Sequence, residues 1–355
     1  MSEQIKLNHL EQLRQYRQKL RREPVLKYLF LELTLRCNEH CRHCGSRCGD
    51  VCTQEMTRKQ YFTFLDKIKA DFPQLPMLCI TGGEPLLRED FFDIMDYANR
   101  LGFVWGMTSN GTLITPQVAK KLEEVGMKTI SVSIDGLEQT HDDFRQSKGG
   151  FRKSVEGVKN LLKHDFKSVQ VTTVVTKKNI GELEELFSLM CDLDVDSWRV
   201  INIEPIGRAL TLDGYTLDRV DYRYLFGFIR QKRREGYPVM YGCQHYLGIE
   251  YEREVRDWYF LCNAGIYVAS VMANGDIGAC LDIERRRETI QGNIFKDDFT
   301  EVWYNRFQIF RKPLADRNQQ CADCSSRNFC EGGAYHSWDY DNNKPLVCFK
   351  DILFK

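Results

Sequence analysis

Residues 28–44 read YLFLELTLRCNEHCRHC and join two different kinds of segment. The first eight residues, 28–35, are mostly apolar, which is typical of a short buried strand. The loop that follows places Cys37, Cys41 and Cys44 in a Cys-x3-Cys-x2-Cys arrangement. In parallel α/β folds, functional side chains collect in the loops after the carboxyl ends of the strands. The stretch therefore predicts a first strand with a metal or redox site at its end.

Strand-like and helix-like segments alternate from residue 28 to about residue 202. Apolar runs predict the strands, and apolar residues three or four apart predict the helices between them. The predicted strands are 28–35, 77–81, 104–109, 128–134, 169–175 and 198–202, and the predicted helices begin near residues 57, 90, 116, 151 and 183. Six β-α-like units indicate a parallel sheet with helical crossovers. They suit an incomplete α/β barrel or an open doubly wound sheet, and periodicity does not choose between the two.

The chain has 355 residues, enough for one barrel-sized domain and a smaller one, since domains commonly run to about 100–200 residues. The first 25 residues are charged throughout and lack the features of a secretory signal, so we expect a cytoplasmic protein. No apolar run approaches the roughly 20 residues that a membrane span needs. Fifty basic residues balance fifty acidic ones, so no net field attracts nucleic acid. We expect neither a membrane nor a nucleic-acid partner.

Fourteen cysteines are the unusual feature of the composition. The cytoplasm keeps thiols reduced, so these cysteines indicate metal or redox chemistry rather than disulfides. Three thiolates in one short loop can bind three irons of a [4Fe–4S] cluster and leave the fourth iron open to a ligand. The alternative is a tetrahedral zinc site. Its fourth ligand would come from His40, His43, Cys48 or Cys52, although Cys48 and Cys52 are most simply packing or surface thiols.

Every other unusual motif in the first two-thirds of the chain also follows a predicted strand. Two glycines before Glu84 let the backbone run close to a ligand, and this carboxylate could meet an ammonium group. In the fourth strand, Ser131, Ser133 and Asp135 share one face, because a strand has a period of two. A central parallel strand is normally apolar on both faces, so this polar stripe favours a ligand cavity. The motifs are GGEP (82–85), SNG (109–111), SIDG (133–136), TKKN (176–179) and EPIGRA (204–209).

The ordered set CNEHCRHC, GGEP, SNG, SIDG and PIGRA resembles the radical S-adenosylmethionine (SAM) enzymes that carry a C-terminal SPASM domain. The resemblance covers residues 28–355, nearly the whole chain. It implies a partial (β/α)6 barrel of the TIM type, followed by a small Cys-rich iron–sulfur domain. We predict an N-terminal helical extension at 1–27, the barrel at 28–215, a connector at 216–261 and the SPASM-like domain at 262–355.

By this resemblance, Cys37, Cys41 and Cys44 hold a [4Fe–4S] cluster whose open iron binds the amino and carboxylate groups of SAM. A reduced cluster of this kind passes one electron to the sulfonium, and the resulting 5′-deoxyadenosyl radical takes a hydrogen atom from the substrate. Glu84 would hold the SAM ammonium. The loop around this carboxylate would be shaped by Gly82, Gly83 and Pro85.

The resemblance also assigns roles to residues farther along the barrel. Asn110, Ser133 and Arg145 would help to hold the ribose or carboxylate of SAM. His43 takes the position before the last cysteine of the loop, where the family prefers an aromatic residue near the adenine. The alternative role of His43 is a zinc-binding or hydrogen-bonding histidine.

The C-terminal third resembles the SPASM pattern of seven cysteines and up to two auxiliary [4Fe–4S] clusters. Cys321, Cys324, Cys330 and Cys348 would form the complete ligand set of the distal auxiliary cluster. We therefore expect at least one auxiliary cluster. The alternative for these cysteines is structural zinc, which the segment CADC would suit by itself.

The second auxiliary set departs from the family pattern. Cys262 and Cys280 are present, but Ala334 stands where the family usually has a cysteine. With one thiolate removed, this cluster is absent, incomplete, or completed by another thiol such as Cys243, and we favour absence. Asp282 lies near where some family members carry a carboxylate that acts as a base, and we name it as the candidate catalytic residue. The alternative is a surface carboxylate, because the match is offset.

The resemblance implies a peptide or protein substrate and an electron donor such as flavodoxin or ferredoxin. The 27 residues before the first strand are too few for the recognition domain of roughly 80 residues that many peptide maturases carry. A second hypothesis is an enzyme of tetrapyrrole, cofactor or small-molecule biosynthesis. A third, from another class, is a non-catalytic iron–sulfur or zinc protein.

Overall fold

The computed structural model describes residues 2–50, 53–243 and 245–353, so Cys52 lies outside the described residues. Its strands are β1 Tyr28–Glu32, β2 Met77–Thr81, β3 Trp105–Ser109, β4 Thr129–Ser133, β5 Ser168–Val175, β6 Ser197–Asn202, β7 Val239–Tyr241, β8 Val268–Val271, β9 Asp276–Gly278, β10 Gly292–Asn293, β11 Trp338–Asp339 and β12 Lys344–Pro345. The six predicted strands correspond to β1 to β6.

The helices alternate with these strands in the first two-thirds of the chain and become short in the last third. They are α1 Glu3–Arg22, α2 Arg58–Asp71, α3 Phe91–Arg100, α4 Pro116–Glu124, α5 Glu138–Arg145, α6 Gly150–Leu161, α7 Leu183–Leu193, α8 Arg219–Arg234, α9 Gly248–Tyr251, α10 Phe299–Glu301, α11 Gln319–Ala322, α12 Arg327–Cys330 and α13 Phe349–Leu353. No described helix is long and apolar enough to cross a membrane.

Strands β1 to β7 pair in chain order, and every one of these pairs is parallel. The other edge of β1 pairs in parallel with β8, which continues through antiparallel β9 to β10. The order is β10-β9-β8-β1-β2-β3-β4-β5-β6-β7. The partial α/β barrel with a Cys-rich C-terminal part is therefore confirmed. The sheet runs past residue 215 into β7 and β8, and the domain boundaries stay a prediction.

Local signals explain why the helices form where they do. Thr57 caps α2, because its hydroxyl accepts the Gln60 N–H while the Gln60 side chain accepts the Thr57 N–H at 2.7 Å. The buried face of α2 consists of Tyr61, Phe64, Leu65 and Ile68 at helical spacing. Helix faces of this kind pack against the sheet. A functional site is therefore expected at the ends of the strands, where the polar side chains lie.

Helix α1 packs against the Cys-rich part of the chain. The buried Arg17 guanidinium donates to the carbonyl oxygens of Phe329 and Phe260 and lies 3.2 Å from Glu331. Arg21 forms a second ion pair with Glu331 at 2.7 Å. The N-terminal helix therefore joins the segments around residues 260 and 330.

Candidate active site

The loop after β1 carries three half-buried thiols, those of Cys37, Cys41 and Cys44. The thiols of Cys37 and Cys41 both lie close enough to Cys44 for its charge to raise their pKa values, although burial is the larger cause. Arg208 fixes the loop backbone by donating from Nε to the Cys41 carbonyl at 2.9 Å. Three thiols held together at the end of a barrel strand fit a cluster with one open iron.

Cys48 contributes to this loop in a way that sequence reasoning missed. It is buried, and its backbone N–H lies 3.4 Å from Cys44 Sγ. The Cys48 thiol donates to the Gly82 carbonyl at 3.5 Å. The Cys48 N–H can therefore stabilise a Cys44 thiolate, while the Cys48 thiol connects the cysteine loop to Gly82. The four-residue spacing between the two cysteines was the available signal.

Glu84 lies at the end of β2 and is fully buried. Its carboxylate accepts hydrogen bonds from the Asn110 N–H at 2.9 Å, the Ser109 hydroxyl at 3.0 Å and the Leu86 N–H at 3.3 Å. Burial is the main cause that raises the pKa of Glu84 to about 7. A buried carboxylate with no cationic partner in the described contacts is suited to receive an ammonium group.

The two glycines before Glu84 are required by a close backbone approach. A Cβ atom on Gly82 or Gly83 would collide with the carbonyl oxygen of Thr34 or Arg36. The Gly83 N–H donates to Thr34 at 2.7 Å, and the Glu84 N–H donates to Arg36 at 2.9 Å. The GGEP loop is thus bonded directly to the segment that leads into the cysteine loop.

Asn110 links the same two loops from the end of β3. Its amide nitrogen donates to Asn38 Oδ1 at 2.8 Å, and its Oδ1 accepts from the Thr112 hydroxyl at 2.7 Å. Ser133, the last residue of β4, is half-buried. The contacts of Asn110 and Ser133 with SAM stay predictions.

Arg145 joins the cysteine loop to the end of β4. Its guanidinium donates to Glu39 at 2.9 Å and to Asp135 at 2.7 Å, and all three side chains are buried. Burial acts to lower the pKa of Arg145, but the two carboxylates raise it well above its ordinary value. Asp135 in turn accepts the Val174 N–H at 2.7 Å. Arg145 therefore holds the cysteine loop in place. Its contact with SAM stays a prediction.

We expect Arg145→Gln to destabilise the fold strongly. It leaves the carboxylates of Glu39 and Asp135 buried without their cation, which typically costs about 3–5 kcal/mol. The matched control is Arg42→Gln, since Arg42 pairs with Asp143 at 2.9 Å on the surface, where an ion pair contributes about 0–1 kcal/mol. Denaturant unfolding measures both changes. Equal midpoints for the two variants would contradict the role of Arg145.

His43 is half-buried in the cysteine loop. Its ring stacks on Phe144 with centroids 4.3 Å apart, and Phe144 stacks on Tyr215 at 5.6 Å. Burial is the largest cause that lowers the pKa of His43 to about 4, so the imidazole is neutral at pH 7. A neutral ring that already stacks on another aromatic ring can also stack on a base, and the contact of His43 with adenine stays a prediction.

The four thiols of the predicted distal auxiliary set line one cavity. They belong to Cys321, Cys324, Cys330 and Cys348. The Ser326 N–H lies 3.4 Å and Lys350 Nζ lies 3.5 Å from Cys324 Sγ, so both groups can donate a hydrogen bond to the Cys324 thiolate. The donor set fits a [4Fe–4S] cluster with four protein ligands.

Cys262 and Cys280, the two cysteines of the second auxiliary set, lie near each other. The charge of Cys262 contributes to the raised pKa of Cys280. The Cys262 thiol accepts the N–H of Tyr335, directly after the buried Ala334. Cys243 is buried, with Sγ 3.8 Å from the Asn202 carbonyl. The absence of the second auxiliary cluster stays a prediction.

Iron analysis should give about eight irons per chain, at four for each of two clusters. Cys324→Ala should lower the value to about four, whereas Cys262→Ala should leave it near eight. A fully reconstituted protein with about twelve irons would refute the absence of the second auxiliary cluster.

Asp282 lies beside the cysteine loop. A Cβ atom built on Gly45 would come 3.8 Å from Asp282 Oδ1. The charge of Asp282 also acts on His336 and Cys280. The carboxylate thus faces the region between the first loop and the Cys-rich part, and its role as a base stays a prediction.

A partial barrel with three thiols and a buried carboxylate at the ends of its first two strands defines an iron–sulfur enzyme of the α/β barrel class. Residues 31–190 match the Radical SAM superfamily, and residues 262–325 match the SPASM iron–sulfur cluster-binding domain. The chain belongs to the radical SAM superfamily and carries a SPASM domain. Its cofactors are SAM and iron–sulfur clusters, including at least one auxiliary cluster.

Individual relatives agree with this assignment. The chain is 30% identical to the AdoMet-dependent heme synthase of Methanosarcina barkeri, over 90% of this chain and 95% of that protein. It is 29% identical to the mycofactocin maturase MftC of Mycolicibacterium smegmatis, over 85% of this chain and 76% of that protein. The structure of Streptococcus suis SuiB bound to S-adenosylmethionine aligns with a TM-score of 0.71 at 21% identity, covering 88% of this chain and 74% of that one.

Proposed function

We propose that this enzyme cleaves SAM reductively and uses the product to abstract a hydrogen atom from a peptide or protein. The observation that carries the proposal is the junction of the cysteine loop with Glu84. Backbone hydrogen bonds from Gly83 and Glu84 connect the GGEP loop to the segment before the cysteines. The hydrogen bond between Asn110 and Asn38 adds a second connection, so the three thiols and the Glu84 carboxylate lie at the same end of the barrel. The cluster, when bound by Cys37, Cys41 and Cys44, supplies the electron for SAM cleavage.

The chain's own residues bind and orient SAM in this proposal. Glu84 pairs with the SAM ammonium, and Ser109 and Asn110 keep its carboxylate in place. Arg145 keeps the cysteine loop in position through Glu39. A closed mouth protects reactive species from water. We also propose flavodoxin or ferredoxin as the electron donor and the reducing cytoplasm as the location.

The charges at the mouth support a peptide over a tetrapyrrole with several carboxylates. A polyanionic substrate needs cations that are not already neutralised by protein acids. Three arginines in or against the cysteine loop are paired with acids, and Asp282 is an exposed acid beside it. Arg47, also in the loop, donates to the Gly207 carbonyl at 3.2 Å and leaves one exposed cation there. The ion pairs are Arg36–Glu55 at 3.6 Å, Arg42–Asp143 at 2.9 Å and Arg208–Asp50 at 2.8 Å.

A tetrapyrrole remains the second candidate substrate because of one observation. The similarity to the heme synthase extends over 90% of this chain and 95% of that protein, so it includes both the barrel and the Cys-rich part. The similarity to the maturase covers 85% of this chain. Full-length alignment at 30% identity is compatible with a changed substrate, because substrate choice depends on a few side chains.

The substrate proposal is tested by offering both classes to the anaerobically reconstituted, reduced enzyme. We expect peptides or small proteins encoded beside its gene to change in mass, with matching formation of 5′-deoxyadenosine. Iron coproporphyrin should stay unchanged under the same conditions. Mass spectrometry of both reactions provides the measurement, with Cys41→Ala as the inactive control. Turnover of the porphyrin without turnover of any such peptide would contradict the proposal.

A further inference from the structure

Two histidines and a glutamate meet where the barrel joins the Cys-rich part. Glu204 follows β6, His245 follows β7, and His336 lies two residues after Ala334. One side-chain ligand atom from each lies within 4.8 Å of the others. Glu204 Oε1 and His245 Nε2 are 2.5 Å apart. These residues belong to neither cysteine set.

The residue types of this cluster suit metal ligands. Carboxylates and imidazoles both bind divalent first-row metals, and the cluster offers one carboxylate and two imidazoles.

Neighbouring polar groups orient the carboxylate. The Ser337 hydroxyl donates to Glu204 Oε2 at 3.0 Å, and the Asn202 amide donates to Oε1 at 3.1 Å. In many metal sites, hydrogen bonds of this kind hold the metal-binding side chains in their orientation. The Ser337 bond also ties the carboxylate to the same turn that carries His336.

A simple ion pair accounts for only part of this arrangement. His164 and Glu123 show such a pair elsewhere in the chain, with Nδ1 and Oε2 2.8 Å apart. Glu204 differs because a second imidazole from a distant segment approaches the same carboxylate. Two histidines and one carboxylate form a known ligand set for divalent first-row metals, and this set leaves further positions open.

We propose that Glu204, His245 and His336 bind one divalent first-row metal ion, separately from the iron–sulfur clusters. Binding requires the 2.5 Å contact between Glu204 and His245 to open to about 3 Å, the separation of adjacent ligands at metal bonds of about 2.1 Å. Asp282 lies beside Gly45 near the cysteine loop, and its charge reaches His336.

The test uses Mn2+ as the probe, because this ion prefers oxygen and nitrogen over thiolate ligands. The holoenzyme, with its clusters reconstituted and loose metal removed by a chelator, is titrated with Mn2+ and followed by electron paramagnetic resonance. We expect one Mn2+ per chain, with hyperfine couplings from two imidazole nitrogens. His336→Asn and His245→Asn should each weaken binding at least about 10–100-fold. His164→Asn is the matched control and should leave it unchanged.

Two results would overturn the proposal. The first is wild-type protein that binds no more Mn2+ than His336→Asn. The second is bound Mn2+ without imidazole couplings in the wild type, a readout that does not depend on whether a variant folds. SAM cleavage is measured separately, so loss of the metal site and failure of the radical SAM function are distinguishable.

Discussion

Cys41→Ala is expected to reduce SAM cleavage to the uncatalysed background. Burial raises the pKa of the Cys41 thiol to about 12, so this thiol depends on a metal to become a thiolate. Its carbonyl is fixed by Arg208 at 2.9 Å, so the backbone of the loop should stay in place. With two thiolates left, the first cluster has too few ligands to assemble. The variant should lose about four irons per chain while the auxiliary cluster remains.

The matched control for this variant is Cys191→Ala, which removes an exposed thiol on α7. It should keep full iron content and full formation of 5′-deoxyadenosine. Iron analysis and chromatography of the reaction products measure both effects. A Cys41→Ala protein that still cleaves SAM would show that this thiol is not a ligand of the catalytic cluster.

Glu84→Gln is expected to weaken SAM binding about 10–100-fold, as the loss of a charged hydrogen bond of about 1.5–3 kcal/mol implies. Glutamine has nearly the same shape and can still accept the Asn110 N–H, so iron content should not change. Equilibrium dialysis of SAM under anaerobic conditions measures the dissociation constant. Equal constants for the variant and the wild type would contradict the assigned role of Glu84.

The same residue predicts how SAM binding depends on pH. The pKa of Glu84 is raised to about 7, so below pH 7 the carboxylate takes up a proton and no longer attracts an ammonium group. Wild-type affinity should fall about tenfold for each pH unit below 7 until it reaches the affinity of Glu84→Gln, and the variant should show no such fall.

Without SAM, the free energy of unfolding should change in the opposite direction to SAM affinity, because the raised pKa of Glu84 stabilises the fold at low pH. The folded state holds this proton more tightly than the unfolded chain does, so the stabilisation is complete below the ordinary pKa of 4.5 and is lost as the pH rises through 7. Denaturant unfolding of the wild type and of Glu84→Gln between these two pH values measures the difference. Parallel pH profiles for the two proteins would contradict the raised pKa.

The six strands of the barrel were predictable because each is a short segment rich in apolar and β-branched residues, either continuous or alternating with polar ones. Strands β7 and β8 were not, since the runs VMY and VASV are too short to show periodicity. The pairing of β8 with β1 joins residues about 240 positions apart, and no local pattern encodes it. Helix α5, with the sequence EQTHDDFR, was missed because it is mostly polar.

In the site, too, features encoded by neighbouring residues were predictable, and contacts between distant segments were not. The spacing of Cys37, Cys41 and Cys44 and the position of Glu84 after the second strand predicted where the thiols and the carboxylate lie. The partners of Arg145 were not predictable, since Glu39 lies 106 positions away. The cluster of Glu204, His245 and His336 comes from three segments and forms no motif, so only the folded chain brings it together.

The most direct test of radical SAM chemistry is a reaction of the wild-type enzyme with SAM and a reductant. The protein is reconstituted anaerobically until its iron content shows full clusters, and the products are then separated and quantified. We predict formation of 5′-deoxyadenosine that depends on the reductant and disappears in Cys41→Ala. Wild-type protein with full clusters that forms no 5′-deoxyadenosine would contradict this account and favour a non-catalytic iron–sulfur protein.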